Sequence, residues 1–360
     1  MNVTIVLPSL DPDEKLNLVV DGLIERGFDD IIIVNDGSHE DHLEPFKKAQ
    51  EHKEVTVLIH EVNKGKGRGL KTAFEYILSN RPDSLGAITV DGDNQHRPDD
   101  ILKCANRMIE EKNKVVLGCR NFDGPDVPAK SRFGNKTTSR VFAWFCGMKI
   151  SDTQTGLRAI PRQYLELLIR TKGERFEYET EMFFALHKNR IEWVEETIET
   201  VYIEDNASTH FNPFLDSIKI YRIILKFIFK YTLSSLLCCV IDIGLYWLLI
   251  ALSNGSVIAG ELSLEIQMLG ATVIARVISS IVNYILNQKA VFQSDASMKK
   301  TVWKYYLLAC IQAALAYGGV YLIAYLFGGE SIVAKFVAKP LVDIILFFAS
   351  YQVQQRWVFR

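Results

Sequence analysis

From about Ile223 to its end the chain carries four apolar stretches, residues 227–252, 266–291, 305–327 and 332–353. Each reaches the roughly 20 residues that a helix needs to cross the hydrocarbon of a bilayer. Hydrocarbon offers a backbone no hydrogen-bond partner, so such stretches are restricted to helices that satisfy themselves. Lysine and arginine are sorted among the connections. Lys219, Arg222, Lys226 and Lys230 precede the first stretch, Lys289, Lys299, Lys300 and Lys304 surround the middle connection, and Arg356 and Arg360 close the chain, whereas residues 253–265 and 328–331 have none. The positive-inside rule then puts both chain ends on the cytoplasmic side of the cytoplasmic membrane.

This tail repeats itself. Laying Lys230-Tyr231 on Lys304-Tyr305 brings Gly244 onto Gly318, and laying Asn283-Tyr284 on Ser350-Tyr351 brings Val291-Phe292 onto Val358-Phe359. Two helical hairpins of the same orientation, side by side, are the expectation for an all-α membrane domain, and its lipid-facing spans leave room for a homo-oligomer. Asp242, Arg276, Asn283, Asn287, Lys335, Lys339 and Asp343 fall within the apolar stretches. Charges at that depth cost several kcal/mol and turn toward partners; Asp343 with Arg276 is the pairing the sequence suggests.

The first 210 or so residues alternate apolar runs with charged segments, as a soluble domain does. Strands are predicted at residues 4–7, 30–34, 55–60, 87–90 and 115–118, and residues 13–26, 41–52, 66–78 and 99–112 carry apolar side chains at helical spacing. Alternating strands and helices give a mostly parallel, Rossmann-like α/β sheet covered on both faces. The opening strand from Val3 leaves no place for a leader of the secretory kind, which sets the expectation that this head stays in the cytoplasm. Cys104, Cys119, Cys146, Cys238, Cys239 and Cys310 show no paired metal spacing and read as small buried apolar residues. A net charge of −2 argues against a nucleic-acid partner.

Ligands of such a sheet gather outside the carboxyl ends of the strands. The loops there read Pro8-Ser9-Leu10-Asp11-Pro12, Asn35-Asp36-Gly37-Ser38, Asn63-Lys64-Gly65-Lys66-Gly67-Arg68-Gly69 and Asp91-Gly92-Asp93-Asn94-Gln95-His96. Any one of them is explained by a turn and a helix cap; four in register on one edge are not. The last sets two carboxylates and an amide at a strand end, hard oxygen donors suited to Mg²⁺ or Mn²⁺.

In this order the four motifs resemble glycosyltransferase family 2, and within it the polyprenyl-phosphate hexose synthases of the dolichyl-phosphate mannose synthase kind. The resemblance implies a GT-A fold over residues 1–210, a nucleotide-sugar donor and inverting transfer. By position it implies that Pro8, Ser9, Asp36 and Asp91 line the nucleoside pocket, that Lys66 lies near the base and a helix N-terminus, and that Asp91, Asp93 and Gln95 hold the metal on the diphosphate. It further implies that Arg120 and Arg132 clasp an acceptor phosphate, a task that suits forked guanidinium groups. Residues 152–158, Asp-Thr-Gln-Thr-Gly-Leu-Arg, match the loop that closes over the diphosphate, which gives Arg158 a place there.

Many family members carry a Thr-Glu-Asp triplet as base for a hydroxyl acceptor; here it reads Thr180-Glu181-Met182. A phosphomonoester, with a second pKa near ~6, arrives ionised and needs no base, in keeping with a polyprenyl-phosphate acceptor. Glu177, Glu179 and Glu181 remain candidate site acids beside a plainer reading as solvated residues. Where several synthases have a basic segment this chain has Ser208 and His210. Residues 211–230, with Phe214, Ile218, Tyr221, Leu225 and Ile228 at helical spacing, read as an interfacial amphipathic helix at the bilayer surface. Residues 231–360 resemble the GtrA-like four-helix membrane proteins through Asn283-Tyr284-x-x-Asn287 and Arg356-Trp357-Val358-Phe359. The expected activity is transfer of a single hexose from a nucleotide sugar to a polyprenyl phosphate. A processive polysaccharide synthase, and a transporter or scaffold with a nucleotide-sugar-binding head, are the alternatives.

Overall fold

The computed structural model describes residues 1–124, 127, 129–199, 213–253, 264–292, 294, 296–326 and 332–359. Ser208 and His210 lie outside the described residues. The chain divides into two compact units, Met1–Ala143 with Met148–Arg222, and Trp144–Gly147 with Ile223–Arg360.

The first unit is built on a seven-stranded sheet of β1 (Thr4–Ser9), β2 (Ile31–Asn35), β3 (Val55–Ile59), β4 (Gly86–Thr89), β5 (Val115–Arg120), β6 (Arg158–Pro161) and β7 (Trp193–Ile198), in the order β3-β2-β1-β4-β6-β5-β7. All neighbours run parallel except β6, which is antiparallel to both β4 and β5. The first five strands lie within about two residues of the predicted ones. Helices α1 (Lys15–Glu25), α2 (Glu44–Ala49), α3 (Lys66–Asn80) and α4 (Pro98–Glu111) alternate with them; α5 (Ala129–Val141), α6 (Leu165–Ile169) and α7 (Glu177–Lys188) follow β5. Ile5, Leu7, Ile31, Ile33 and Ile88 of the sheet pack on Leu16, Val20 and Leu23 of α1 and Ile101, Cys104 and Met108 of α4 in one buried core. Near-continuous burial of β1, β2 and β4 is what a parallel sheet covered on both faces requires.

Strand β6 corrects one expectation. Arg158 belongs to this strand, not to a closing loop, and is fully buried between Thr89 of β4 and Leu117 of β5 in the ladder. A four-residue Arg-Ala-Ile-Pro strand shows neither alternation nor an apolar run, so periodicity misses it.

The second unit is helical: α8 (Pro213–Ser253), α9 (Leu264–Leu286), α10 (Met298–Leu326) and α11 (Ile332–Val353). Helix α8 runs 41 residues, its first ten in the first unit and the rest in the second. Three stretches among the described residues are long and apolar enough to cross a membrane, Ile228–Ser253, Ile266–Val291 and Met298–Leu322. Helix α11 has 22 residues and carries Lys339, Pro340 and Asp343. Lys339 pairs with Asp343 one turn on, and Arg276 pairs with Asp242 at 3.1 Å. The expected Asp343–Arg276 pair is therefore corrected: each charge finds a nearer partner, Asp343 on its own helix and Arg276 on α8. Cys104, Cys119, Cys146 and Cys238 are buried as expected, but Cys239 and Cys310 are exposed on their helices, which corrects the expectation for these two.

The sequence repeat is a pseudo-two-fold in space. Tyr231 stacks edge-on against Tyr351 at 5.1 Å and 69°, and its counterpart Tyr305 meets Tyr284 at 5.4 Å and 72°. Phe292 lies 5.5 Å from Tyr351 at 41°, and Phe359 lies 5.8 Å from Tyr284 at 41°. The two phenylalanines stack on each other at 5.3 Å. Beside them the Asn287 amide donates to Gln354 Oε1 at 3.0 Å, and these two residues are equivalent in the repeat. Both hairpins close on a π-helical turn, Asn287–Val291 and Gln354–Val358.

Candidate active site

Three strands, β1, β2 and β4, deliver their C-terminal loops to one edge of the sheet. Ser9 ends β1 beside Asn35 of β2, and the Asp36 amide donates to the Ser9 carbonyl at 2.9 Å. Asp36 is buried and accepts from the amides of Lys64 at 2.9 Å and Gly65 at 2.7 Å, with His60 Nδ1 at 2.6 Å. Its carboxylate thus shapes the glycine-rich loop from within. Gly65 turns at φ +101°, where a β-carbon would stand 2.5 Å from the Glu174 carbonyl oxygen, so only glycine fits. Helix α3 begins on the next residue, and its first turn offers the partial positive charge that suits a phosphate.

Lys66, the first residue of α3, points back across the edge. Its Nζ lies 2.7 Å from Asp91 Oδ1 and 3.0 Å from Glu179 Oε1. His96 Nε2 stands 3.7 Å from Asp91 Oδ2, and the Gly156 backbone presses on the same oxygen so closely that a β-carbon there would come within 2.3 Å. Asp93 sits one residue beyond Gly92 in a turn that carries Asn94 at φ +61°, and accepts the Gln95 amide at 3.1 Å. Asn tolerates the left-handed region better than most residues.

Burial disfavours charge on all three groups, and their neighbours decide the outcome. Burial works against the ammonium of Lys66, yet Asp91 and Glu179 outweigh it and hold its pKa above the ordinary value. Burial likewise opposes the Asp91 carboxylate, but Lys66 and then His96 keep it ionised far below the usual range. At Asp93, burial and then the Asp91 charge raise the pKa and outweigh the Gln95 amide, His96 and Lys66, which lower it. Among the described residues the buried atoms Ser9 Oγ, His96 Nδ1 and Arg158 Nη2 have no hydrogen-bond partner.

Residues 4–176 match the family model described as glycosyl transferase family 2, and residues 230–359 match that of the GtrA/DPMS transmembrane domain. The chain joins a family 2 glycosyltransferase domain to a GtrA/DPMS membrane domain. Among curated proteins, the glycosyltransferase is 28% identical over 247 residues to the UDP-N-acetylglucosamine–dolichyl-phosphate N-acetylglucosaminyltransferase of Methanococcus voltae, covering 62% of this chain and 95% of that one. It is 25% identical over 219 residues to the glycosyltransferase AglJ of Haloferax volcanii, covering 59% and 68%. The mannosyl-3-phosphoglycerate synthase of Rubrobacter xylanophilus is a distant structural likeness at 14% identity and TM-score 0.47, covering 63% and 72%.

In this glycosyltransferase the predicted residues separate into groups. Asp91, Asp93 and Lys66 come together, with Ser9 close by: a β-carbon on Gly92 would stand 3.2 Å from its hydroxyl. Pro8 lies under the start of α3, 3.4 Å from a β-carbon built on Gly69. Arg120 is forked onto the fully buried Asp152 at 2.7 and 3.1 Å. Arg132 donates to the carbonyls of Phe122 at 3.1 Å and Gly124 at 2.7 Å. Both arginines therefore brace the segment after β5. Arg158 donates to the Thr155 and Glu179 carbonyls at 3.1 and 2.8 Å, beneath the edge rather than over it; burial lowers its pKa. Glu179, one of the candidate site acids, reaches Lys66, and His96 and Asp152, which lie within quoted motifs without a role of their own, pair with Asp91 and Arg120; His60, the partner of Asp36, is the residue that no motif pointed to.

Among the described residues no three His, Cys, Asp or Glu side chains form a ready-made metal cage. Mg²⁺ and Mn²⁺ do not need one, since they bind through one or two carboxylates with substrate phosphates and water filling the rest. The Asp91–Asp93 pair, with the Asp93 pKa raised by burial and by the Asp91 charge, is a donor set that a divalent cation would relieve. The residues present fit such an ion.

Proposed function

We propose that the protein transfers a single hexose, with inversion, from a nucleotide sugar to a polyprenyl phosphate, giving a lipid-linked sugar. The observation that carries this reading is the relative from Methanococcus voltae, whose name gives a UDP-sugar donor and dolichyl phosphate as acceptor, and of which 95% is covered. Two features of the chain support it. Thr180-Glu181-Met182 lacks the acid a hydroxyl acceptor would require, and the catalytic domain is joined to a membrane domain, which brings the enzyme to a lipid acceptor.

In this reading Asp36 sets the glycine-rich loop, and the first turn of α3 with Lys66 receives the diphosphate. Asp91, Asp93 and Gln95 hold Mg²⁺ or Mn²⁺, which when bound supplies Lewis-acid help to the departing nucleoside diphosphate. The acceptor phosphate, ionised at neutral pH, attacks the anomeric carbon from the opposite face. Arg120 and Arg132, guanidinium groups of a shape that suits phosphate, orient the acceptor. The lysine and arginine distribution supports a catalytic domain and chain ends on the cytoplasmic side of the cytoplasmic membrane.

The test is incubation of membranes containing the full chain with polyprenyl phosphate and labelled UDP- or GDP-sugars, with and without chelator. Label entering an organic-extractable, mild-acid-labile lipid from one donor, and lost with chelator, is the expected result. Label found only in insoluble polymer would overturn the single-transfer reading in favour of a polysaccharide synthase.

A further inference from the structure

Glu179 is tied into the site from two directions. Its backbone carbonyl accepts from the buried Arg158 at 2.8 Å, and its carboxylate reaches Lys66 at 3.0 Å. The start of α3 is docked on the loop that precedes α7: Arg68 forks onto Glu174 at 2.7 and 2.8 Å, the Arg68 amide donates to the Glu174 carbonyl at 2.9 Å, and Lys71 Nζ donates to the Gly173 carbonyl at 2.8 Å. Gly67 lies so close to Tyr178 that a β-carbon there would stand 2.5 Å from it. Lys66 and Glu179 are thus held face to face by their own backbones, and the Lys66 ammonium is shared between Asp91 and Glu179 at nearly equal distances.

An ammonium placed on Asp91 competes with any divalent cation for that carboxylate. A second carboxylate on the far side of the ammonium draws it away. We propose that Lys66 and Glu179 form a counter-ion pair that sets the cation affinity of the Asp91–Asp93 site, Lys66 lowering it and Glu179, as a positioning residue, restoring it. The inference rests on the reading of that site as the metal centre. Its signature is a pair of opposite effects. Lys66→Met removes the competitor and tightens cation binding. Glu179→Gln leaves the ammonium to Asp91 alone and weakens it. A charge added or removed at such distances shifts binding of a charged ligand by about tenfold.

The experiment titrates Mn²⁺ alone onto the purified full-length protein in detergent and counts free ion by its paramagnetic resonance signal. Thermal melting of each variant is followed alongside. Wild type binds, Lys66→Met binds about tenfold tighter, Glu179→Gln about tenfold weaker, and Lys66→Arg returns toward wild type. Shifts of the same sign in both variants, or none while wild type binds, would overturn the pairing. Should one variant not fold, the sign of the other decides. A wild type that takes up no Mn²⁺ would remove the metal reading itself, and the inference with it.

Discussion

Asp93 carries the sharpest test at the level of single residues, because its surroundings on balance disfavour its charge, His96 and Lys66 offsetting only part of the cost. Burial and the neighbouring Asp91 both push its pKa up, a cost that a diphosphate-bound divalent ion would remove. Asp93→Asn keeps the shape of the turn and discards the charge. We expect kcat to fall at least about a hundredfold, the scale of losing one preorganised charge-stabilising group, with an unchanged melting temperature; initial rates of lipid-linked sugar formation read this, and full activity would take Asp93 out of the machinery. The two aspartates are legible in the sequence because an apolar strand runs directly into them. Lys66 is half legible: its place at the head of a helix follows from the glycine-rich loop, but its partners Asp91 and Glu179 lie 25 and 113 positions away and meet it only through the fold. Arg120 and Arg132 are legible as guanidinium groups near an anion site, whereas Asp152 and the Phe122 and Gly124 carbonyls, to which the structure ties them, come from chain that has to fold back first.

Elements whose register is set by apolar pattern are the ones that the sequence predicts well. Strands β1, β2, β4 and β5 and helices α1 to α4 carry buried residues in such a pattern, and β3, half-buried at the sheet edge, keeps the apolar Val55, Val57, Leu58 and Ile59. Strand β6 is buried at all four positions, but Arg-Ala-Ile-Pro announces this by no pattern: it is held by its two antiparallel neighbours and by Arg158, whose side chain packs over the Phe183 ring at 4.3 Å and donates to the Thr155 and Glu179 carbonyls. Removing that side chain takes a hydrogen-bond partner from both carbonyls and opens a hole between the sheet and α7. Arg158→Ala should cost about 3 kcal/mol or more. For a unit of this size that is a fall of roughly 6–12 °C in melting temperature, measured on the full chain in detergent. Activity should fall with it, since the backbone of Glu179 loses its anchor. Arg158→Met, which refills the space but makes neither bond to oxygen, should recover part of the stability; a protein that melts as wild type after Arg158→Ala would show that β6 is held by pairing alone.

For the whole chain the open question is parity. Three stretches meet the length and composition of a membrane span, and α11, with Lys339 and Asp343 in its middle, stands apart from them. An odd number of crossings would put the two chain ends on opposite sides, an even number on the same side. The pseudo-two-fold argues for four. It maps α11 onto α9 through Tyr351 on Tyr284 and Phe359 on Phe292, and the matched ring geometries require both helices to run in the same direction relative to α8 and α10. Lys339 and Asp343 neutralise each other one turn apart, which reduces the cost that isolated charges would bring to hydrocarbon. Arg276 and Asp242 do the same between α9 and α8. A green fluorescent protein fused after Arg360, which fluoresces only when it folds in the cytoplasm, should therefore light up in expressing cells, and an alkaline phosphatase fused at the same point should stay inactive. The reverse pattern would mean three crossings, with α11 lying outside the bilayer or along its surface despite its place in the repeat.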